Sequence, residues 1–455
     1  MLSRSTLSRN APRALQTSVV GASSRRGMAS ATQGIQFDVS ESSGVKVANR
    51  EAAGPTGTLA LVAKAGSRYQ PFPGFADALS EFAFKTTLKR SGLRITREVE
   101  LLGGEVSSTH SRENVVLTAK YLANDLPYFV ELLAEVASQS QFSVHELQEV
   151  VFKHLKYRQQ AFAADAEAQA IDAAHSVAFH NGLGATITPS TSVPFEKYLS
   201  AEAIAEYAQK AYSKSNIALV GTGSNSADLN KWVGEFFKAL PSGGAPQSSA
   251  SQYYGGEQRI STKAGNAVVI AFPGSSAFGT SGYKPEASVL ATLLGGESTI
   301  KWTPGFTLLS KATQGFSQLR ASTQNFAYSD AGLLTIGLSG KADQVASASK
   351  NAVDLLKKAA AGEVASEDIK KATALAKFRA LESVQNLGTG LEATGSALLA
   401  SGKLSQASEI AQSFDNISEA QVKDAAKSLL SGKASVAAVG DLHQLPYGQD
   451  LGLTL

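Results

Sequence analysis

Two kinds of hydrophobic pattern take turns along the chain. Short apolar runs, "LALVAK" at 59–64 and "VVLTAKYL" at 115–122, have the length and composition of strands. The stretches 125–139 and 144–179 show helical spacing instead. In the second of them Leu147, Val150, Val151 and Leu155, then Ile171, Ala174 and Val177, recur at turns of a helix, which predicts one long helical region. The mixture returns later. "LLTIGLSG" at 333–340 reads as a strand, and 342–362 and 365–385 read as helices. Gly362 is expected to stop the first of these and Ser366 to N-cap the second. Such helices are long and unevenly spaced for crossovers, so the pattern predicts an α+β fold rather than a doubly wound sheet.

A polar tract rich in Gly, Ser, Pro and Gln, "LPSGGAPQSSASQYYGGEQ" at 240–258, divides the pattern. The segment before it opens on "TLALVAKAGSRY" (58–69) and closes on "AYSKSNIALVG" (211–221). The segment after it opens on "AVVIAFPGSSAF" (267–278) and closes on "LLSGKASVAAVG" (429–440). Lys214 and Lys433 lie 219 residues apart, and so do Gly221 and Gly440. Matching ends in the same order predict a duplication. The expected organisation is two homologous α+β halves, 29–240 and 259–455, joined by a linker at 241–258.

Composition narrows the chemistry. The chain has 455 residues, enough for two or three domains. No stretch approaches the roughly 20 unbroken apolar residues of a membrane-spanning helix. The formal net charge is +3, and much of the excess sits in the first thirty residues. There Arg4, Arg9, Arg13, Arg25 and Arg26 stand among many serines, with no acid before Asp38. That is the make-up of a mitochondrial transit peptide, expected to cover about 1–28. The remaining body is near neutral and gives no argument for a nucleic-acid partner. There is no cysteine, which excludes disulfides, thiolate catalysis, iron–sulfur ligation and Cys-based zinc sites.

One stretch has the layout of a metal helix without the ligands. In "PGFADALSEFAFKTT" (73–87), Asp77 and Glu81 stand four apart with Ser80 between them, on one helix face. Inverzincins carry H-x-x-E-H there, two zinc-binding histidines and a Glu that acts as base on the bound water. The six histidines are His110, His145, His154, His175, His180 and His443. No two lie three or four apart, so no helical turn presents a pair to one zinc. No phosphate-cradling Gly motif occurs either. A solvated or partner-facing helix face is the expectation for Asp77 and Glu81, with His145 and His154 on helix surfaces or in packing.

The flanks of 73–87 resemble the zinc helix of the pitrilysin/insulinase-like metallopeptidases, with Gly74 and Phe84-Lys85-Thr86-Thr87 in the family's places. Asp77 then occupies the first His position, Ser80 the Glu position and Glu81 the second His position. A count without gaps brings Arg158 to the family's third ligand, a Glu. Further motifs narrow the likeness. "ELLGGEVSSTHSRENVVLTAKYL" holds a Gly-Gly segment followed by Arg112-Glu113. "FAYSDAGLLTIGLSG" holds Tyr328, Asp330, Gly332 and Leu333. With "LLGGESTIKWTPGFTLLSKA", they resemble the non-catalytic core proteins, of the core protein 2 type, in the mitochondrial ubiquinol–cytochrome c reductase, the bc1 complex.

That resemblance implies a clamshell of two halves and a peripheral position on the matrix side of the mitochondrial inner membrane. It implies pairing with core protein 1 in a dimeric complex that also holds cytochrome b, cytochrome c1 and the iron–sulfur protein. The implied role is assembly and support, with no catalytic residue, no cofactor and no metal on this chain. The alternative is the substrate-recognising, metal-free subunit of the mitochondrial processing peptidase, which carries a very Gly-rich loop early in its second half. Here the matching stretch holds only Gly295-Gly296 and Gly305, which leaves less backbone freedom.

Overall fold

The structure is a computed structural model that describes residues 36–455 except 53, 298–302, 304, 403 and 405. The expected transit peptide and Trp302 lie outside the described residues. The first half builds one sheet from β1 (Asp38–Ser42), β2 (Val45–Arg50), β3 (Thr56–Ala63), β4 (Glu105–His110), β5 (Val115–Leu122) and β6 (Ile217–Thr222). Its order is β1-β2-β6-β3-β5-β4. The second half builds another from β7 (Gly256–Ser261), β8 (Asn266–Pro273), β9 (Leu319–Ala327), β10 (Gly332–Gly340) and β11 (Ser435–Gly440), in the order β7-β11-β8-β10-β9.

The sheets match strand for strand once β1 is set aside. β2–β6 and β7–β11 are the parallel pairs, and the other ladders are antiparallel. The duplication read from two pairs of chain ends is therefore a duplication of topology.

The helices that position the site are α1 (Phe75–Phe82), α2 (Leu126–Gln139), α3 (Phe152–Ala163) and α4 (Ala166–Phe179) in the first half. In the second half they are α5 (Pro285–Leu294), α6 (Ala342–Ala361), α7 (Ser366–Gln385) and α8 (Thr389–Ser401). The helical region expected over 144–179 is not continuous. It widens to a π-turn at Leu147–Val151 and breaks at Ala164-Asp165, where the Asp165 carboxylate caps α4 through the Glu167 and Ala168 N–H groups. Gly362 ends α6 in the left-handed conformation, φ 82°. Ser366 is not the N-cap of α7. Ala365 holds that position, and the Ser366 hydroxyl donates instead to Glu419.

Each half keeps its own core on one face of its sheet. The opposite faces are covered by exchange. Helix α4, from the first half, buries Ala170, Ala173, Ala174 and Ala178 against Ala267, Val269, Ala271, Ala437 and Val439 of the second sheet. Helix α8, from the second half, buries Leu391 and Leu398 against Ala48, Ala60, Val62 and Val220 of the first. The central strands are thus covered on both faces, which is why β3 and β8 read as unbroken apolar runs. The approach of α8 is close: a Cβ on Gly395 would stand 2.5 Å from Val62 Cγ2. Neither half can bury its sheet alone, because each lends the other a helix.

Candidate functional site

Helix α1 starts at Gly74, whose φ of 100° turns the chain off Pro73. Its apolar positions Phe75, Ala78, Leu79 and Phe82 face the core. The same burial draws Asp77 and Ser80 inward, to 1% and 3% exposure. The solvated helix face expected from the sequence is therefore corrected: this face is closed over by β4 and α3. The spacing of polar residues gave an amphipathic helix, but the neighbouring elements cover its polar side too.

Arg158 of α3 reaches between the two carboxylates of α1. Its Nη1 lies 2.8 Å from Asp77 Oδ1 and its Nη2 2.7 Å from Glu81 Oε1. Ser80 Oγ meets Ser108 Oγ of β4 at 2.9 Å. Two residues that sequence reasoning left out complete the cluster. His154 Nδ1 stands 2.7 Å from Glu81 Oε2, and His110 Nε2 stands 3.6 Å from Asp77 Oδ1. The signal for His154 was present, since it lies one helical turn before Arg158. The signal for His110 was the strand alternation that puts it on the Ser108 face of β4.

Burial pushes the Asp77 carboxyl up from its usual range; the neighbouring His110 and the Arg158 hydrogen bond only partly offset this. Asp77 Oδ2 and His110 Nε2 are both buried without a hydrogen-bond partner. A tetrahedral zinc site needs neutral imidazoles and free carboxylates converging on one point. Here the point where they converge is held by a guanidinium, so the residues do not fit a metal. Among the described residues no group of three or more His, Cys, Asp and Glu could hold one. The cluster neutralises charge and fixes α1 against α3.

The other motif residues meet at the joint between the halves. Arg68, its side chain 5% exposed, lies 2.9 Å from Glu113 Oε1 and 2.6 Å from Asp330 Oδ2. It also donates to the Ser249 carbonyl of the connecting tract. Glu113 accepts from the Ser329 N–H at 2.9 Å. Arg112 holds Asp172 at 2.6 Å, and Tyr328 bonds His175 Nε2 at 2.8 Å. Burial, then the charge of Arg112, holds His175 far below the usual imidazole range and therefore neutral.

Comparison with known proteins agrees with this geometry. The model for Insulinase (Peptidase family M16) matches residues 46–190, and that for the Peptidase M16 inactive domain matches residues 198–375. The cytochrome b-c1 complex subunit 2, mitochondrial, of Neurospora crassa is 49% identical over 457 residues, covering 100% of both chains. The chain belongs to the cytochrome b-c1 complex subunit 2 family. The Schizosaccharomyces pombe relative is 34% identical over 92% of this chain and 96% of its own. The human relative is 28% identical over 90% of each. Within this family and the wider M16 group, the chain is a non-catalytic peptidase homologue. Its first-half helix carries Asp77, Ser80 and Glu81, and Arg158 reaches between the two carboxylates.

Proposed function

We propose that the chain is the second core subunit of mitochondrial respiratory complex III, needed for the assembly and stability of the complex that moves electrons from ubiquinol to cytochrome c. It sits on the matrix face of the inner membrane and pairs with core protein 1. In the dimeric complex it supports cytochrome b, cytochrome c1 and the iron–sulfur protein. The observation that carries this reading is full-length similarity to subunit 2 relatives combined with a guanidinium in the peptidase cluster. The exchange of α4 and α8 supports a rigid load-bearing role, since opening the halves would bare both sheets. Among the described residues no helix is long and apolar enough to cross a membrane, which agrees with peripheral attachment.

Blue-native electrophoresis of mitochondria, with mass spectrometry of the band that holds this chain, tests the proposal. Comigration with cytochrome b and cytochrome c1 is the expected result. A band that instead holds a presequence-cleaving partner and no cytochrome would overturn it.

A further inference from the structure

Strand registers fix which residue of the second half stands where His110 stands in the first. Gly221 and Gly440 close matching strands. Two residues earlier, Leu219 pairs with Leu61 and Ala438 with Val268. Leu61 pairs with Leu117, and Val268 with Leu338. Val115 therefore corresponds to Ile336, and their partners on the outer strands are His110 and Thr323. On α5, Ser288, Ala291 and Thr292 repeat the spacing of Asp77, Ser80 and Glu81. Helix α5 packs on β9 and α7 as α1 packs on β4 and α3.

The two places are filled differently. In the first half the Arg158 ion pairs occupy the space. In the second the side chains are short, and a cavity of about 750 Å³ stays open between α5, β9, α7, α8 and the Ser111–Asn114 turn of the first half. That volume falls within the roughly 300–1,000 Å³ of small-molecule sites. Much of the wall is apolar, with Phe278, Ile410 and Phe414 on it. Two buried atoms in the wall, Thr323 Oγ1 and Asn114 Oδ1, have no hydrogen-bond partner, and Asn114 is only 4% exposed. Asn114 Oδ1 can only accept, because the amide donates from Nδ2 to Glu392 at 3.0 Å. Glu113 is already paired with Arg68, which leaves Glu392 and Arg379, one charge of each sign, along the wall. The cavity thus selects no ion. It offers an apolar bed and two unpartnered polar atoms, Asn114 Oδ1 and Thr323 Oγ1, on its wall.

We propose that this cavity binds a single-chain neutral lipid of the monoacylglycerol type, its hydroxyl head on Asn114 and Thr323 and its chain along the apolar wall. The proposal rests on the duplicated fold and is independent of the place in complex III.

The test titrates 1-oleoylglycerol into the full-length chain and counts bound lipid by native mass spectrometry. One saturable site per chain is expected. Thr323→Val leaves the melting temperature unchanged, since that hydroxyl has no partner in the empty protein, yet weakens binding about fivefold to tenfold. Ala291→Phe fills the cavity and abolishes binding; should that variant fail to fold, the Thr323→Val comparison decides alone. No saturable binding, or affinity unaltered in Thr323→Val, overturns the site. Equal affinity for oleate that Arg379→Ala destroys overturns the neutral head.

Discussion

Arg158→Met keeps most of the side chain's hydrocarbon stem and removes the cation between Asp77 and Glu81. Glu81 retains His154 at 2.7 Å, so most of the damage falls on Asp77, which is 1% exposed. Stranding a buried charge costs about 3–5 kcal/mol. Arg158 is itself 36% exposed in the intact protein, which places the expected loss at the low end, about 3 kcal/mol at pH 8. Asp77 can escape by binding a proton. At pH 5 that escape costs about 1.5 kcal/mol from an ordinary carboxyl value near 3.9, and this caps the loss there.

The sign follows from the direction of the shift. The folded Asp77 carboxyl already lies above its unfolded value, so its contribution favours the fold at low pH and is lost as pH rises through the raised value. Removing Arg158 raises it further, so the penalty grows between pH 5 and 8. The other groups facing the cluster, His110 at 3.6 Å from Asp77 and His154 at 2.7 Å from Glu81, are the same in wild type and variants. The assay is chemical unfolding of wild type, Arg158→Met and the Asp77→Asn/Arg158→Met pair, each at pH 5, 6, 7 and 8. The pair should show a much flatter pH response and regain stability at pH 8. A deficit in Arg158→Met that ignores pH, or a double variant no more stable at pH 8, would refute the reasoning.

Asp77→Ala with Glu81→Ala should leave quinol–cytochrome c turnover per assembled complex unchanged, even where less complex accumulates; lost turnover in fully assembled complex would contradict the structural role. Placing His at 77 and 81 and Glu at 80 should create no peptidase while Arg158 remains, and peptide hydrolysis by that triple variant would show the third-ligand assignment to be wrong. Gly395→Val should force α8 off β3, because even a Cβ meets Val62 at 2.5 Å, and thermal unfolding should show a loss of at least about 2 kcal/mol. Gly244→Ala, where nothing lies within 4 Å, is the neutral comparison.

Much of the fold was legible because burial on both sheet faces leaves unbroken apolar runs such as 59–63 and 267–272. The exchange of α4 and α8 was not legible. An alanine-lined helix face at Ala170, Ala174 and Ala178 says that something packs closely, but not which sheet. The break at Ala164-Asp165 was hidden because apolar positions recur at helical spacing on both sides of it, while the Asp165 cap works through a local carboxylate. At the site, the spacing of Asp77 and Glu81 and the count to Arg158 picked out three residues that do meet. The same reading misjudged their exposure, since a polar helix face can be solvated or covered by charges from elsewhere. His110 and His154 are those covering groups together with Arg158, and they come from a strand and a helix whose placement only the tertiary fold supplies.

The cluster persists without catalysis for a reason that charge explains. Two carboxylates on one buried helix face repel each other and need a cation between them. A planar guanidinium supplies it here with one ion pair to each carboxylate. An apolar pair would bury as well at lower desolvation cost. What the ion pairs add is register: Arg158 meets both acids only when α1 and α3 cross at one offset. The second half makes the contrast. There Ser288, Ala291 and Thr292 carry no charge to neutralise, and the space between helix and strand stays open. Charge at one copy and volume at the other are the two ways this duplicated scaffold has resolved the same vacancy.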